Sequence, residues 1–245
     1  MAPEYRKRGN GKTLIYIPGI EGTAKLLYKH EDELIRDYTV VSVPLRPFGR
    51  YGLSQLVDDV IAIAREAGPA PVSVLAESFG GVVAVATCLA CPGLIDKMIL
   101  VNSFPWFSQR SKIRLGVALF SFLPYSLLKA YRTRRSRNEL FSNDISHVDR
   151  QIFHDLTKIV PPEGYLSRLR IIRDTDLRPG LKDVTAKTLV VVGSGDRLFD
   201  SIEYGRQFVS AIPEAKLRVL EGTGHVALLA ANVSVREWLQ ELDEI

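Results

Sequence analysis

A serine, an aspartate and a histidine stand at three points of this 245-residue chain where an apolar strand pattern gives way to a loop. Together those residue types can carry nucleophilic catalysis. Ser78 lies in Ala76-Glu77-Ser78-Phe79-Gly80-Gly81, with a short apolar strand pattern at 71–75 ahead of it and a buried helix pattern at 82–89 behind it. A serine at such an elbow is forced into strained backbone that lifts its hydroxyl clear of the sheet, so small residues must flank it. Ala76 and Gly80 meet that need, Ala76 standing where the usual G-x-S-x-G pattern has its first glycine. The ordinary alternative is a strand-turn-helix connection that happens to contain serine.

A nucleophilic serine needs a base, the base an orienting acid, and the developing oxyanion two fixed N–H donors. Gly193-Ser194-Gly195-Asp196 follows a strand pattern at 189–192, and Glu221-Gly222-Thr223-Gly224-His225 follows one at 216–220. Ser78, Asp196 and His225 would then emerge at one edge of a sheet, in the chain order serine, acid, histidine. Each also has a plainer reading. Asp196 can close an Asx-turn with Asp200 as a rival acid, and His225 can be a loop or N-cap histidine. The loop at 102–104, the other place where an acid could stand, has no carboxylate. His30, His147 and His154 fall in helical patterns and read as solvated. The two donors are expected to be the backbone N–H of Phe79 and, from the glycine-containing loop 18–22, that of Ile20. Glu21 and Glu77 read as supporting residues, able to alter proton affinities if buried near His225.

The elements that would position these residues alternate. Strand patterns cover 13–17, 38–43, 71–75, 97–101, 187–192 and 216–220. Helical patterns cover 26–37, a stretch N-capped by Ser54 and running to Gly68, 82–89, 202–211 and 233–242. Such alternation predicts an α/β fold, a mostly parallel sheet with helices on both faces and functional residues at the carboxyl ends of its strands. From residue 105 the alternation stops and helical patterns follow at 112–131, 149–159 and 162–174. The expected organisation is therefore a core of 1–104 and 187–245 with a helical cap at 105–186.

With 46% hydrophobic residues and no repeat or low-complexity tract, the composition is that of a globular chain. Residues 1–12 are polar and basic without an apolar run, which predicts an extended or disordered tail, no secretory signal and a cytoplasmic location. Cys88 and Cys91, at the end of a helix pattern, read as packing residues, because a redox pair activates its thiolate at a helix N-terminus. The net charge of +4 is uneven: residues 105–185 hold 15 Lys and Arg against 8 Asp and Glu. Residues 115–128 are apolar, interrupted by Gly116 and Pro124, and Arg132, Arg134, Arg135 and Arg137 follow. At about 14 residues this run falls short of the ~20 that span a bilayer. Two readings stay open: a cap helix packed on the sheet edge with its arginines in solvent, or a lid that lines an acyl pocket and makes transient contact with an anionic lipid surface. No recognition motif accompanies the basic run, so no nucleic acid is expected.

Pro18-Gly19, the Ser78 elbow, Gly193-Ser194-Gly195-Asp196 and Gly224-His225 together resemble the α/β-hydrolase superfamily over about 13–104 and 187–242. The resemblance places the helical cap after the sixth-strand position of that fold. Pro18 stands where many members have histidine. A narrower similarity is to the esterase, lipase and thioesterase branch related to plant phytyl ester synthases, through Pro18-Gly19-Ile20-Glu21-Gly22-Thr23 and Glu77 to Gly81. Those proteins carry a further acyltransferase-like region that these 245 residues lack, so hydrolysis is expected ahead of ester synthesis. The resemblance implies a serine hydrolase acting on a small-molecule ester or thioester, with no metal and no organic cofactor, and the apolar cap favours a hydrophobic acyl or alcohol group. The alternatives are an acyltransferase on the same residues and a non-catalytic small-molecule receptor. The oligomeric state is left open.

Overall fold

The computed structural model describes residues 4–120, 127, 130, 134, 139–158 and 160–245. Among them are seven strands: β1 (Arg6–Arg8), β2 (Lys12–Ile17), β3 (Tyr38–Ser42), β4 (Val72–Glu77), β5 (Ile95–Val101), β6 (Lys187–Gly193) and β7 (Ala215–Leu220). They form one sheet in the order β1-β3-β2-β4-β5-β6-β7. From β3 through β7 every pairing is parallel, and β1 joins β3 antiparallel at the edge. The helices are α1 (Tyr28–Leu34), α2 (Leu53–Ala67), α3 (Phe79–Ala90), α4 (Arg110–Phe120), α5 (His147–Thr157), α6 (Pro162–Asp174), α7 (Ser201–Ala211) and α8 (Val235–Asp243).

The sheet's near-continuous apolar runs follow from burial on both faces. Side chains alternate along a strand, so Ile15, Ile17, Val74, Ala76, Val190 and Val192 enter one core with α2, α3 and α7. Their neighbours Leu14, Tyr16, Leu75, Leu189 and Val191 enter the other, with Trp238, Leu239 and Leu242 of α8. Parallel strands all end at one edge, and the loops after β2, β4, β5, β6 and β7 collect there.

Three expectations change. Residues 6–8, read as part of a tail, form edge strand β1, because Arg6 and Arg8 ion-pair with the buried carboxylate of Glu31. The N-cap of α2 is Gly52 in place of Ser54; the Gln55 side chain accepts from the Gly52 N–H at 2.9 Å and closes the turn two residues earlier. His30, read as solvated, is 5% exposed and sits 2.9 Å from the Leu228 carbonyl.

Between β5 and β6 the described residues form α4, α5, α6 and a 3-10 turn, with one isolated bridge joining Trp106 to Asp176. Most of the apolar stretch beyond Phe120 and, apart from Arg134, the arginine run lie outside the described residues. Among the described residues no helix is long and apolar enough to cross a membrane. Cys88 is buried, which pushes its thiol up, and Cys91 is half-buried; both are unbridged.

Candidate active site

β4 is buried along its whole length, and α3 begins one residue after Ser78, so Ser78 has to turn the chain within a single residue. It does so at φ 52° and ψ −118°, a conformation that costs a non-glycine residue of order 1–3 kcal/mol. The surroundings hold it there. The Ser78 N–H donates to the Val101 carbonyl at 2.8 Å. The Ser78 carbonyl accepts from the Gly81 N–H at 3.0 Å and from the Ser103 hydroxyl at 2.8 Å. A side chain at Gly80 would collide with the carbonyl oxygens of Ile17 and Pro18. Glycine there lets α3 start against the end of β2.

The three residues singled out from the sequence come together. His225 Nε2 lies 3.0 Å from Ser78 Oγ, and His225 Nδ1 lies 2.7 Å from Asp196 Oδ2. Ser78 and His225 are each 8% exposed. Asp196 also accepts from the Leu198 N–H at 2.8 Å and from the Ser201 hydroxyl. Burial pushes its carboxyl up, but the His225 ring and these donors together hold it below the usual aspartate value. The Asx-turn and the histidine contact are thus made by one carboxylate. Asp200, the rival acid, instead caps α7 by accepting from the Glu203 N–H at 3.0 Å. His147 is exposed and His154 half-buried, both on α5.

Ile20 and Phe79 lie in the loop after β2 and at the first position of α3. The 18–22 loop is closed by the Gly22 N–H donating to the Gly19 carbonyl at 3.0 Å. Glu21 and Glu77, read as supporting, are both 8% exposed.

Two positions escaped the sequence reading. Asn102, noted only for not being an acid, is 1% exposed at φ 43°. Its amide donates to the carbonyls of Gly224 at 3.1 Å and His225 at 2.8 Å, and its carbonyl accepts from the Gly193 N–H at 2.7 Å. One side chain thereby ties the end of β5 to the loops that carry Asp196 and His225. Phe199 is the second: its ring meets the His225 ring edge-to-face at 4.9 Å and belongs to a cluster with Phe104, Phe107 and Tyr204. An asparagine at a strand end and an aromatic three residues beyond a candidate acid were the available signals.

Two of the described contacts of the helical segment with this edge fall on the site loops. Leu140 accepts from the Val226 N–H at 3.2 Å, and Arg168 of α6 lies against the 18–22 loop.

A family model, Alpha/beta hydrolase family, matches residues 15–237. Phytyl ester synthase 1 of Arabidopsis thaliana is 23% identical over 91% of this chain, which spans 36% of that protein. The 3-oxoadipate enol-lactonase 2 of Acinetobacter baylyi is 23% identical over 72% of this chain and 66% of its own length. Among solved structures, the enol-lactonase from Burkholderia xenovorans matches at a TM-score of 0.86 with 19% identity, covering 99% of this chain and 96% of that one. With a mostly parallel seven-stranded sheet and a family match over most of its length, the chain belongs to the alpha/beta hydrolase family.

Proposed function

We propose that this α/β-type hydrolase cleaves a carboxylic ester or thioester through an acyl-enzyme, with Ser78 as nucleophile, His225 as base and Asp196 as orienting acid. The observation that carries the reading is the continuous line of short contacts from Ser78 Oγ through the imidazole to Asp196 Oδ2. With Nδ1–H donating to the carboxylate, Nε2 is left to accept the serine proton. Ser78 Oγ attacks the carbonyl carbon as that proton passes to His225. The Phe79 and Ile20 N–H groups hold the oxyanion. Collapse breaks the carbonyl–oxygen or carbonyl–sulfur bond, and the leaving alcohol or thiol takes the proton from Nε2. Water then attacks the acyl-serine by the same route and regenerates Ser78. No step calls on a metal or a cofactor.

The aromatic cluster of Phe104, Phe107, Phe199 and Tyr204 beside His225 favours a hydrophobic acyl or alcohol group. Residues 105–186 act as the cap, supported by the contacts of Leu140 and Arg168 with site loops. Exposed Leu115 with exposed Lys112 and Arg114 on α4 supports transient contact with an anionic lipid surface. The likeness to a phytyl ester synthase over 91% of the chain favours one second reading, transfer of the acyl group to an alcohol in place of water.

Hydrolysis of p-nitrophenyl esters from acetyl to palmitoyl, by the parent and by Ser78→Ala, tests the reading. Turnover with a chain-length optimum, abolished in the variant, is the expected result. Equal turnover in both proteins, or none in the parent on any ester, overturns it. Added alcohol that diverts the acyl group into a new ester would support the second reading.

A further inference from the structure

Beneath the Ser78 turn, on the sheet face opposite α3, three titratable side chains meet. Glu77, the last residue of β4, is directly followed by Ser78, and its carboxylate accepts a 2.8 Å hydrogen bond from the buried hydroxyl of Tyr16 on β2. Glu21 enters from the 18–22 loop. The junction is Gly19: a Cβ placed there would lie 3.0 Å from Glu21 Oε2, 3.5 Å from Ser78 Cβ and 3.7 Å from Glu77 Cγ. Two carboxyl side chains and the Ser78 Cβ therefore border the space beside Gly19, in the loop that would supply a donor to the oxyanion. From the far side the loop is backed by Arg168 of α6, which is 1% exposed. Its guanidinium sits where a side chain on Gly22, at φ 73°, would have to go, and faces the Glu21 carbonyl at 3.5 Å.

We propose that Glu77 is a positioning residue: with Tyr16 and Glu21 it holds the 18–22 loop against the Ser78 turn, and a second negative charge in this cluster drives the loop away from the oxyanion position. The proposal rests on the hydrolase reading above for its kinetic consequence, not for its geometry. The titratable groups facing Glu77 are Tyr16 from β2 and Glu21 from the loop. Burial and the neighbouring Glu21 push the Glu77 carboxyl up to about 8, against the opposing effect of the Tyr16 hydroxyl. Near neutral pH the Glu21–Glu77 pair then keeps a proton, and the two carboxyls can sit together. Above that value two carboxylates would share a site with little water, and the glycine-containing loop, unlike β4, is the side of the pair that can move. The Phe79 donor is fixed by α3, so only the Ile20 donor is lost.

The test compares the parent with Glu77→Gln, which keeps the side chain's shape and stays neutral, and with Glu21→Gln, which leaves a single carboxyl in the cluster. In the parent, kcat/KM for a p-nitrophenyl ester falls about tenfold from about pH 7 to about pH 9, one unit above the Glu77 value. In both variants the profile stays flat over that range. The second readout does not need turnover. Hydrogen exchange of the 19–22 amides, corrected for the intrinsic pH dependence, loses about tenfold protection over the same range in the parent and keeps it in the variants. A parent without esterase activity removes the hydrolase reading and leaves exchange to decide. The same alkaline fall in parent and Glu77→Gln, or amide protection that ignores Glu77, overturns the proposal.

Discussion

Ser78 is flanked by two supports built from different chemistry. On the β5–β6–β7 side, Asn102 fixes the histidine and acid loops through bonds to the Gly224 and His225 carbonyls and the Gly193 N–H, none of which changes protonation in the physiological range. On the β2 side, the 18–22 loop rests on a phenol, two carboxyls and a guanidinium packed with little access to water. The first support should hold its geometry at any pH that leaves the fold intact. The second should not. In the proposed reaction, the difference separates the half of the site that would transfer the proton from the half that would receive the oxyanion, and it makes each half separately breakable.

The largest effect is expected on the β5–β6–β7 side. Asp196→Asn keeps the shape but presents an amide to Nδ1, which favours the wrong histidine tautomer, so kcat should drop by about 10^4 with little change in KM. Steady-state kinetics checks it. Next comes Asn102→Ala, which strands one N–H and two carbonyls in a buried place. Each orphaned group costs about 1–3 kcal/mol, readable in a denaturant titration, and the released His225 loop should lower kcat by about 10^2. Smaller still is Phe199→Ala. Removing one wall of the aromatic cluster should cut the preference for long over short acyl esters by about tenfold, measured as a ratio of kcat/KM values.

The smallest effect sharpens the comparison through stability. Glu77 is raised in the folded chain to about 8 from an ordinary 4.5. Between these values the native state keeps a proton that the unfolded chain has released, so this contribution is whole below the lower value and is lost as pH rises through the upper. Asp196 is lowered, so its contribution is present above the ordinary 3.8 and is lost as pH falls through its folded value. Thermal unfolding across pH should therefore show Tm falling as pH rises from about 4.5 to about 8 in the parent, a fall that Glu77→Gln lacks.

What could be read from the sequence was what short-range chemistry dictates. The Ser78 elbow was legible because its flanking residues must be small, and Asp196 and His225 because strand patterns of only four or five residues placed them at one sheet edge. β1 was not, since Arg6-Lys7-Arg8 has no apolar alternation and pairs only because β3 offers an open edge and Glu31 a counter-charge. His30 was misread because its partner, the Leu228 carbonyl, lies 198 residues away. Asn102 was passed over for a similar reason: its side chain acts on backbone atoms of two distant loops, and no local pattern encodes that. Glu21 and Glu77 could be named singly, but not as a pair that meets with Tyr16, which arrives from another strand.

The central claim is that Ser78 is an activated nucleophile, and its most direct test is reaction with a fluorophosphonate followed by peptide mapping. The predicted result is a single adduct on Ser78, absent in Ser78→Ala and formed far more slowly in His225→Ala. No adduct on the folded parent, or an adduct on another residue, would contradict it.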